Sequence, residues 1–507
     1  MLRLRSTKIR RARTPLCIHY SRGVPWLPFQ LPPWFGYVEA AYVLALAVWI
    51  VLQKRPPLST LAWVFGLSFL PVVGLFVYPL LGPQRLERRR SKRALALERL
   101  RAAMPELASI AADETFDPAR DLGDDQRPLV ALATRNCDAH VSSGNRVEVL
   151  RNGPACFDAL EAAILGARHH IHVEYYIFAP DETGRRFRDL LARRASEGVE
   201  VRLLVDAVGS WSLSHGFLAP LRHAGAHIRI FNRTTLARLR WNFRNHRTIV
   251  VVDGEIGFTG GLNIADDYLG RGPNGLWRDT HLRLEGPAVQ ALQVVFLEDW
   301  SSTRPEEKAF AGRRYFKERT TPPGNDGVVQ VVAAGPDRDW QAIQQLFFAA
   351  VTRAQRRVLL TTPYFVPDEA TLTALQTAAL RGVGVHILLP RRTDALVARA
   401  AARSYYDELL KAGVRIHEYL PGFLHAKVLV VDGRFASVGS ANFDQRSFRL
   451  NFELNAHLFD PAVIARLEEA FARDVSLSSE VTLSDREKLP LPSRLGEALA
   501  RLLSPVL

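Results

Sequence analysis

The stretch FLHAKVLVVDG, residues 423–433, places a histidine and a lysine immediately before a run of aliphatic residues. Residues two apart in a β-strand point to the same face, so His425 and Lys427 are predicted to project together. The aliphatic run that follows is typical of a strand buried on both faces. Asp432 and the glycine after it indicate a tight turn. The stretch therefore predicts a rigid core strand that holds an imidazole beside a cation.

A second version of this stretch lies upstream, as part of an internal duplication. Residues 245–263 (NHRTIVVVDGEIGFTGGLN) parallel residues 424–442 (LHAKVLVVDGRFASVGSAN), and residues 164–184 parallel residues 351–371. In both copies apolar strands alternate with amphipathic helical patterns, which predicts α/β units on mostly parallel sheets. We therefore expect an α/β fold of two lobes that pack face to face as a pseudo-twofold pair.

Changes in composition set the predicted domain boundaries. Proline, glycine and polar residues cluster in SSTRPEEK and RTTPPGNDG, which indicates a linker after the first copy. The predicted division is a basic cytoplasmic segment (1–32), a transmembrane helical hairpin (33–82), a basic helical connector (83–140), a first lobe (141–300), a linker (301–335) and a second lobe with C-terminal helices (336–507).

Two long apolar stretches precede the lobes. Residues 33–52 contain one acidic residue, Glu39, and residues 58–82 contain no charged residue. A helix of roughly 20 apolar residues spans the hydrocarbon core of a bilayer, so the two stretches predict a transmembrane hairpin. Basic residues flank the hairpin at 1–22 and 83–93, which places both ends in the cytoplasm and offers these clusters to anionic lipid head groups. An organelle transit sequence is the alternative interpretation of the Arg-rich N-terminus.

The overall composition favours an anionic partner. The 507 residues carry a formal net charge of +14, which suits nucleic acid or an anionic lipid surface, and the apolar stretches favour the lipid. The three cysteines, Cys17, Cys137 and Cys156, have the spacing of neither a disulfide framework nor a metal site. RHHIHVE (168–174) is also a poor metal candidate, because its counterpart in the other copy has no histidine. We expect no metal and no cofactor.

The histidine of each copy, His246 and His425, points to phosphodiester chemistry. A neutral imidazole can attack phosphorus to form a phosphohistidine, and a lysine can neutralise the phosphoryl oxygens in the transition state. A second histidine is needed to protonate the leaving alcohol and later to deprotonate the acceptor. Two copies on facing lobes supply both histidines, and this chemistry requires no metal.

The first copy departs from the second at the position of the lysine, where it has Thr248. Arg247 cannot replace the lysine, because alternation along the strand turns it to the opposite face. Arg244 shares the parity of His246 and Arg278 adjoins an aspartate, so each is a candidate cation. Loss of one positioned donor typically costs about 10²–10³ in rate. The departure therefore predicts a slow enzyme, a substitute cation or a changed substrate.

These motifs resemble the paired HxK(x)4D motifs of the phospholipase D superfamily, and more closely those of bacterial cardiolipin synthases. The resemblance extends to EYYIF (174–178), GFTGGLNIADDY (257–268), WRDTHLRLEGPAV (277–289), TPYFVPDE (362–369) and NFELN (451–455). It implies a membrane-bound phosphatidyltransferase that makes cardiolipin from phosphatidylglycerol through a phosphohistidine and releases glycerol. It adds Asp253 and Asp432 to the catalytic candidates, although a turn position suits a structural ion pair better than chemistry. Asn263 and Asn442 are expected to support the site.

The resemblance further implies that a carboxylate fixes the tautomer of each imidazole. Asp279 follows His246 by 33 residues, and Glu453 follows His425 by 28. Each carboxylate is expected to accept a hydrogen bond from Nδ1 of its upstream histidine and so to aim Nε2 at phosphorus, an ordinary ion pair being the alternative. The family implies His246 as the nucleophile and His425 as the general acid and base, and the symmetry of the motifs allows the reverse. Glu174 and Tyr364, near strand ends, are expected to line the pocket.

Other functions remain open from the sequence. The same chemistry with water or another alcohol as acceptor gives a phospholipase D or a phosphatidylserine-type transferase. A nuclease of the superfamily suits the positive charge but not the apolar stretches. Thr248 favours a catalytically impaired lipid-binding protein as a further alternative. We expect a multi-pass protein of the inner (cytoplasmic) membrane with its lobes in the cytoplasm, anionic phospholipids as partners and no nucleic acid.

Overall fold

The structure, a computed structural model, describes residues 34–52, 60–61, 63–66, 84–105, 116–232, 243–304, 312–317 and 327–506. The chain divides into two compact units, residues 1–82 and 83–507. In the first unit, helix α1 (Trp34–Leu52) occupies the first predicted membrane span. Across the described ranges, no helix is both long and apolar enough to cross a membrane, so the predicted hairpin is not shown. Most of the second predicted span, and the basic segment 1–32, lie outside the described residues.

The second unit is a mixed α/β structure. Its α-helices are α2 (Gln84–Ala103), α3 (Pro118–Asp121), α4 (Arg127–Cys137), α5 (Asn152–Gly166), α6 (Glu182–Ser196), α7 (Ala219–His223), α8 (Ala288–Ser302), α9 (Ala342–Arg353), α10 (Glu369–Leu380), α11 (Leu396–Arg403), α12 (Tyr406–Lys411), α13 (Gln445–Arg449), α14 (Pro461–Ser476), α15 (Leu483–Glu487) and α16 (Leu491–Arg501). Its β-strands are β1 (Val141–Arg151), β2 (His170–Tyr175), β3 (Glu200–Asp206), β4 (His227–Phe231), β5 (Arg244–Asn245), β6 (Ile249–Val252), β7 (Ile256–Gly260), β8 (Trp277–Arg278), β9 (Thr280–Glu285), β10 (Gly327–Ala334), β11 (Arg357–Thr361), β12 (Phe365–Val366), β13 (Gly384–Pro390), β14 (Arg415–Tyr419), β15 (Phe423–Leu424), β16 (Val428–Val431), β17 (Phe435–Gly439), β18 (Phe443–Asp444), β19 (Asn451–Leu458) and β20 (Ser478–Val481).

One continuous sheet runs through the second unit. Apart from the edge strand β20, its two halves have equivalent strand orders when each is followed from its outer edge to the middle. From one edge the order is β4-β3-β2-β6-β7-β9-β1, and it continues as β10-β19-β17-β16-β11-β13-β14-β20. Strand β2 pairs in parallel with β3 and antiparallel with β6, and β11 pairs in the same way with β13 and β16. Strands β1 and β10 pair at the middle, so the two lobes share one hydrogen-bonded framework. The repeated order confirms the predicted duplication.

Two sequence-based expectations about the sheet are wrong. The sheet is mixed rather than mostly parallel, because tight hairpins join β6 to β7 and β16 to β17 and force antiparallel pairing. The predicted linker at 301–335 contains β10, which pairs with β1 and β19 inside the sheet. The second lobe therefore begins at β10.

Strand β6 shows why the aliphatic runs are buried. Ile249 and Val251 lie in one hydrophobic core with side chains of α8, and Val250 and Val252 lie in another with side chains of α5 and α6. All four side chains are buried. Because helices cover both faces of this strand, a continuous apolar run replaces the alternation of a half-exposed strand.

Helix α2 is held to α8 by a buried ion pair. The Arg93 guanidinium lies 2.7 Å from an oxygen of Asp299 and 2.6 Å from an oxygen of Asp337. Burial opposes its charge, but these carboxylates raise the pKa of Arg93 above its ordinary value. Arg93 belongs to the basic cluster at 83–93 that was expected to meet lipid head groups. Its burial among carboxylates excludes it from that role.

Asp253 and Asp432 lie in the hairpin turns at the far ends of β6 and β16. Both have a positive φ, 55° and 56°, which aspartate tolerates better than most residues. Each carboxylate accepts three backbone N–H bonds of 2.7 to 2.8 Å, from Arg168, His169 and His170 for Asp253 and from Gln355, Arg356 and Arg357 for Asp432. Seven residues of mostly extended chain, roughly 20 Å, separate each aspartate from its histidine. Their distance from the histidines and their backbone amide partners favour a structural role over the catalytic role that the resemblance implies.

Replacement of Asp432 by alanine tests this structural role. We expect Asp432→Ala to lower the free energy of unfolding by about 1–3 kcal/mol, because three N–H groups lose their acceptor. Asp432→Asn keeps an acceptor oxygen and the tolerance for positive φ, so its loss should be smaller. Chemical denaturation measures both. Phosphatidyl transfer per folded molecule should stay within about threefold of the wild-type rate, the range of a structural effect. A loss of several orders of magnitude in an equally stable variant would restore the catalytic assignment.

Candidate active site

Each motif histidine follows a two-residue strand that pairs with the other lobe. Strand β5 pairs in parallel with β19, and β15 pairs in parallel with β8. The chain continues these contacts by one residue, because the His246 N–H donates to the carbonyl of Phe452 at 2.9 Å and the His425 N–H donates to that of Arg278 at 2.8 Å. The backbone of one lobe therefore positions the histidine of the other.

The imidazole–carboxylate pairs also cross between the lobes. Nδ1 of His246 lies 3.0 Å from Oε2 of Glu453, and Nδ1 of His425 lies 2.7 Å from Oδ2 of Asp279. The expected contact at Nδ1 is present in both cases. The expected partners are wrong, since Asp279 had been paired with His246 and Glu453 with His425. The reason is the strand pairing, which brings each histidine to the carboxylate strand of the opposite lobe.

Both carboxylates are buried and hydrogen-bonded. Glu453 accepts bonds from the Ser440 hydroxyl at 2.5 Å and from the Asn451 amide at 3.0 Å. Burial alone would raise the pKa of Glu453 and of Asp279. The charges and hydrogen bonds around them, chiefly His246 for Glu453 and Lys427 for Asp279, hold both pKa values below the ordinary range. Both groups are therefore anionic at neutral pH.

In the second lobe, Lys427 and His425 face the same way, which confirms the parity argument. The Lys427 ammonium nitrogen lies 2.7 Å from Nδ1 and 3.0 Å from Nε2 of His425. Burial and the charge of Lys427 lower the pKa of His425 to about 4, against the opposing effect of Asp279. Burial also lowers the pKa of Lys427 to about 8, although Asp279 and Glu453 raise it. His425 is thus a neutral imidazole beside a cation at neutral pH.

An aromatic wall surrounds His425. The Tyr268 hydroxyl lies 3.2 Å from Nδ1, and the rings of Trp277 and Tyr364 lie 5.0 and 6.5 Å from the imidazole ring. Tyr364 therefore borders the site as expected, whereas Glu174 is buried and accepts a bond from Asn245. Asn263 supports the wall, because its amide donates to the Tyr268 hydroxyl at 3.2 Å.

Asn442 is the counterpart of Asn263 in the second lobe. Its backbone N–H donates to the Ser447 hydroxyl at 3.1 Å. Its side-chain oxygen is buried and accepts no hydrogen bond from the described residues. The contact that Asn442 makes near the site is therefore the hydrogen bond of its backbone N–H.

In the first lobe, three residues that were considered as substitutes for the missing lysine have other surroundings or partners. Thr248 is buried. Arg247 points into the interior, as alternation predicted, where its guanidinium pairs with Asp299 and donates to the carbonyls of Glu453 and Ala334. Arg278 is bound to Asp474 at 2.8 Å. Neither guanidinium is available to a phosphate.

Arg244 lies two residues before His246, and Arg446 lies on α13 of the second lobe. Tyr176 contacts the His246 ring edge-on at a centroid distance of 4.8 Å, and burial raises the pKa of Tyr176 while the nearby Arg244 acts to lower it. Nη1 of Arg244 is buried and has no hydrogen-bond partner among the described residues. Burial and then the charge of Arg244 lower the pKa of Arg446, so the two guanidinium groups stand close enough to repel. Asp444 and Glu453 act in the opposite direction on the pKa of Arg446, so the two guanidinium groups stand in a cluster that also contains two carboxylates.

The two motifs border one electrostatic site. Burial raises the pKa of Asp444 to about 6, while the charge of His246 acts to lower it. The same carboxylate acts to raise the pKa of Lys427. Asp444 therefore interacts electrostatically with both the first-lobe histidine and the second-lobe lysine.

The histidines of RHHIHVE belong to the core of the first lobe. His170 and His172 both contact the Gln293 amide, at 3.1 Å each, and burial lowers the pKa of His170 to about 4. Among the described residues, no group of three or more His, Cys, Asp or Glu side chains has the arrangement of a metal site.

Several residues of the site were not found from the sequence. They are Tyr176, Tyr268, Ser440, Asp444, Asn451 and Arg446. Asn451 carried a signal, because it shares strand parity with Glu453. The remaining residues are brought in by loops and by the opposite lobe, which no local pattern reports.

Comparison with known proteins places the chain in a family. The model "Cardiolipin synthase, PLD-like domain" matches residues 160–300 and 347–475, which are more than half of the chain, and "Phospholipase_D-nuclease N-terminal" matches residues 40–83. A cardiolipin synthase of Geobacillus kaustophilus is 42% identical over 481 residues, 93% of this chain and 94% of the relative. The major cardiolipin synthase of Bacillus subtilis is 38% identical over 474 residues, 92% of this chain and 97% of the relative.

A solved structure is similar in fold. The phosphatidylserine synthase of Haemophilus influenzae superposes with a TM-score of 0.54 at 14% sequence identity, over 71% of this chain and 95% of that one. This similarity concerns the fold alone. The family model and the near full-length relatives, together with the two crossed imidazole–carboxylate pairs, show that the chain belongs to the cardiolipin synthase family of phospholipase D-like proteins.

Proposed function

We propose that the protein is a phosphatidyltransferase that makes cardiolipin from two phosphatidylglycerol molecules and releases glycerol. The observation that carries the proposal is the pair of motif imidazoles, each held at Nδ1 by a buried anionic carboxylate of the opposite lobe, with a buried lysine beside the His425–Asp279 pair. Relatives that match nearly the whole chain are named cardiolipin synthases. The substrates are anionic phospholipids, in keeping with the basic composition.

The reaction takes two displacements at phosphorus. In the first, Nε2 of one histidine forms a bond to phosphorus, the bond from phosphorus to the glycerol oxygen breaks, and the other histidine gives that oxygen a proton. In the second displacement, the histidine that gave the proton now removes a proton from the glycerol hydroxyl of a second phosphatidylglycerol. That oxygen attacks phosphorus, and the phosphorus–nitrogen bond breaks. The two steps use only the two histidines and the two lipid molecules as proton donors, proton acceptors and nucleophiles.

The carboxylates and Lys427 set the protonation states for this sequence. Glu453 and Asp279 accept the Nδ1 hydrogen of His246 and His425, which puts the lone pair of each imidazole on Nε2 and stabilises the imidazolium when it forms. The Lys427 ammonium, beside Nε2 of His425, is placed to neutralise charge on the phosphoryl oxygens.

We assign the nucleophile to His246, following the family resemblance, and the acid and base roles to His425. His246 has the more accessible side chain, 12% exposed against 7% for His425. One observation favours the reverse assignment: the pKa of His425, near 4, keeps it neutral, as a nucleophile must be. Under our assignment, His425 must gain its proton when the anionic phosphodiester binds.

The missing lysine of the first lobe is replaced in this proposal by Arg244, with Arg446 beside it. Arg244 precedes His246 by two residues and lies opposite Asn451 in the strand pairing, on the strand that carries Glu453. Its Nη1, buried and without a hydrogen-bond partner among the described residues, and its effect on the pKa of Tyr176, whose ring contacts that of His246, support this role. A guanidinium stays charged at any working pH and can bind two phosphoryl oxygens at once.

The same site can serve other acceptors. Water in place of the second lipid gives a phospholipase D, and another alcohol gives a different phosphatidyl ester. Thr248 favours a catalytically impaired lipid-binding protein if Arg244 does not compensate. Incubation of the full-length protein with phosphatidylglycerol separates these functions, because the products are cardiolipin with glycerol, phosphatidic acid with glycerol, or none.

Attachment to the membrane through residues 33–82 is also part of this proposal. The two apolar stretches of that segment support a transmembrane hairpin, and the flanking basic clusters support a cytoplasmic location for both ends and for the lobes. The family match at 40–83 covers most of the segment.

A phosphoenzyme can be trapped on the nucleophile. His425→Ala should accumulate label from phosphatidylglycerol labelled at phosphorus, because attack can occur while acceptor activation is lost. We expect the label on His246, stable in base and lost in acid, and no label in His246→Ala. Peptide mapping identifies the histidine that carries the label. Label on His425 in the wild-type protein would reverse the roles, and label on neither histidine would exclude the covalent route.

Removal of the proposed substitute cation should slow the chemical step. We expect Arg244→Gln to lower kcat by about 10²–10³, the cost of one positioned donor. Thr248→Lys in the Arg244→Gln background should recover part of this loss, because it restores the second-lobe pattern. Arg193→Gln, on an exposed face of α6, is the matched control and should retain the wild-type rate. No loss in Arg244→Gln would exclude Arg244 from the reaction.

The pH dependence should report Lys427. Its pKa of about 8 means that the ammonium loses its proton as the pH rises through that value, so kcat/KM should fall on the alkaline side near pH 8. Lys427→Arg should be slower at neutral pH, yet it should keep its rate above pH 8, because arginine stays protonated. Rate profiles from pH 6 to 10, a range of about four units around that pKa, measure both. An unchanged alkaline limb in Lys427→Arg would show that another group controls it.

A further inference from the structure

Helix α16 turns a row of leucines toward the surface. Leu491, Leu495 and Leu499 recur at every fourth position, so they share one helix face, and Leu502 follows just beyond the helix. Helix α11, which packs against α16, adds Leu396 and Val397. The exposed fractions of these six side chains range from 47% to 77%. We call Leu396, Val397, Leu491, Leu495, Leu499 and Leu502 the leucine surface.

Polar contacts fix α16 in this orientation. Glu497, on the inner face, is buried and pairs with Arg486 at 2.6 Å. Just after the helix, Ser504 hydrogen-bonds to the hydroxyl of Tyr405 at 2.9 Å. The helix therefore buries a carboxylate and exposes its leucines, the reverse of the usual surface helix. An arrangement held by a buried ion pair is a built feature of the fold rather than a chance exposure.

Basic side chains border the leucine surface. Arg392 lies just before α11, Lys488 just before α16 and Arg494 within α16, and all three are exposed, as are the carboxylates of Asp394 and Glu487. Arg501 is also exposed, but it pairs with Glu408 at 2.8 Å. Leucines framed by arginine and lysine match the interface of an anionic bilayer, where acyl chains receive the leucines and phosphate groups receive the cations.

The leucine surface begins at the edge of the active site. Asp394, two residues before Leu396, accepts the hydroxyl hydrogen bond of Tyr364 at 2.7 to 2.8 Å. Tyr364 in turn contacts the ring of His425. The loop between β13 and α11 therefore connects the catalytic pocket to the exposed leucines through a single tyrosine.

We infer that the leucine surface docks the catalytic lobes onto the anionic phospholipid bilayer and brings the pocket to the lipid head groups. This rests on the proposed function, since it concerns how that reaction obtains its lipid. Docking leaves each substrate's acyl chains in the bilayer while its phosphate enters the pocket. A second copy of the chain is a poorer occupant, because it would bring like charges together at the same rim.

A rate comparison in two substrate forms tests the inference. Full-length Leu491→Ser/Leu495→Ser/Leu499→Ser should lose about tenfold or more of the rate on phosphatidylglycerol vesicles, because less apolar surface enters the bilayer. Its rate on a short-chain, monomeric phosphatidylglycerol should equal that of the wild-type protein. Leu165→Ser, an exposed leucine of the first lobe, is the control and should change neither rate. Equal rates of the triple variant and the wild type on vesicles would overturn the inference. Absence of cardiolipin from the wild type in both forms would instead overturn the proposed function.

A direct probe of contact distinguishes the bilayer from a second copy. An environment-sensitive fluorophore attached at Leu495→Cys in the full-length Cys17→Ser protein should brighten and shift to the blue on phosphatidylglycerol vesicles, and the same label at Leu165→Cys should not. The cysteines Cys137 and Cys156 are buried and should not react. A shift at position 495 that depends on protein concentration in detergent, without vesicles, would replace the bilayer by a second copy and overturn the inference.

Discussion

The crossed hydrogen bonds between imidazole and carboxylate organise this structure. Each lobe supplies one histidine and the carboxylate for the other lobe's histidine, through the β5–β19 and β8–β15 strand pairs. For each of the two motif histidines, the imidazole and its carboxylate therefore come from different lobes. The continuous sheet through β1 and β10 keeps the lobes in the register that these bonds require. The duplication is therefore a requirement of the site and not only a way to enlarge the core.

Symmetry in the framework coexists with asymmetry in the charges. Lys427 lies against His425 in the second lobe, whereas Thr248 leaves the corresponding place in the first lobe without a cation. The cations proposed to act there are Arg244, two residues before the histidine, and Arg446, from the second lobe. A lysine with a pKa near 8 on one side and permanently charged guanidinium groups on the other make the two histidines electrostatically different, which suits different roles in one reaction.

The catalytic pocket and the leucine surface together describe an enzyme for substrates that stay in a bilayer. The pocket buries its carboxylates and its lysine, so a phosphodiester that enters exchanges water for fixed charges. The leucines of α11 and α16 lie outside, one tyrosine away from His425. Recognition of the head group and contact with the acyl region are thus assigned to adjacent but separate parts of the second lobe.

The sequence by itself determined the duplicated α/β framework, the buried strands β6 and β16, the parity of His425 with Lys427 and the inward turn of Arg247. These features follow from periodicities of two and from apolar runs, which are local properties of a chain. Tertiary structure alone decided which carboxylate meets which histidine, that Asp253 and Asp432 bind backbone amides in turns, and that Arg278 is bound by Asp474. Those outcomes depend on pairing between strands far apart in the chain, and a local pattern carries no record of its distant partner.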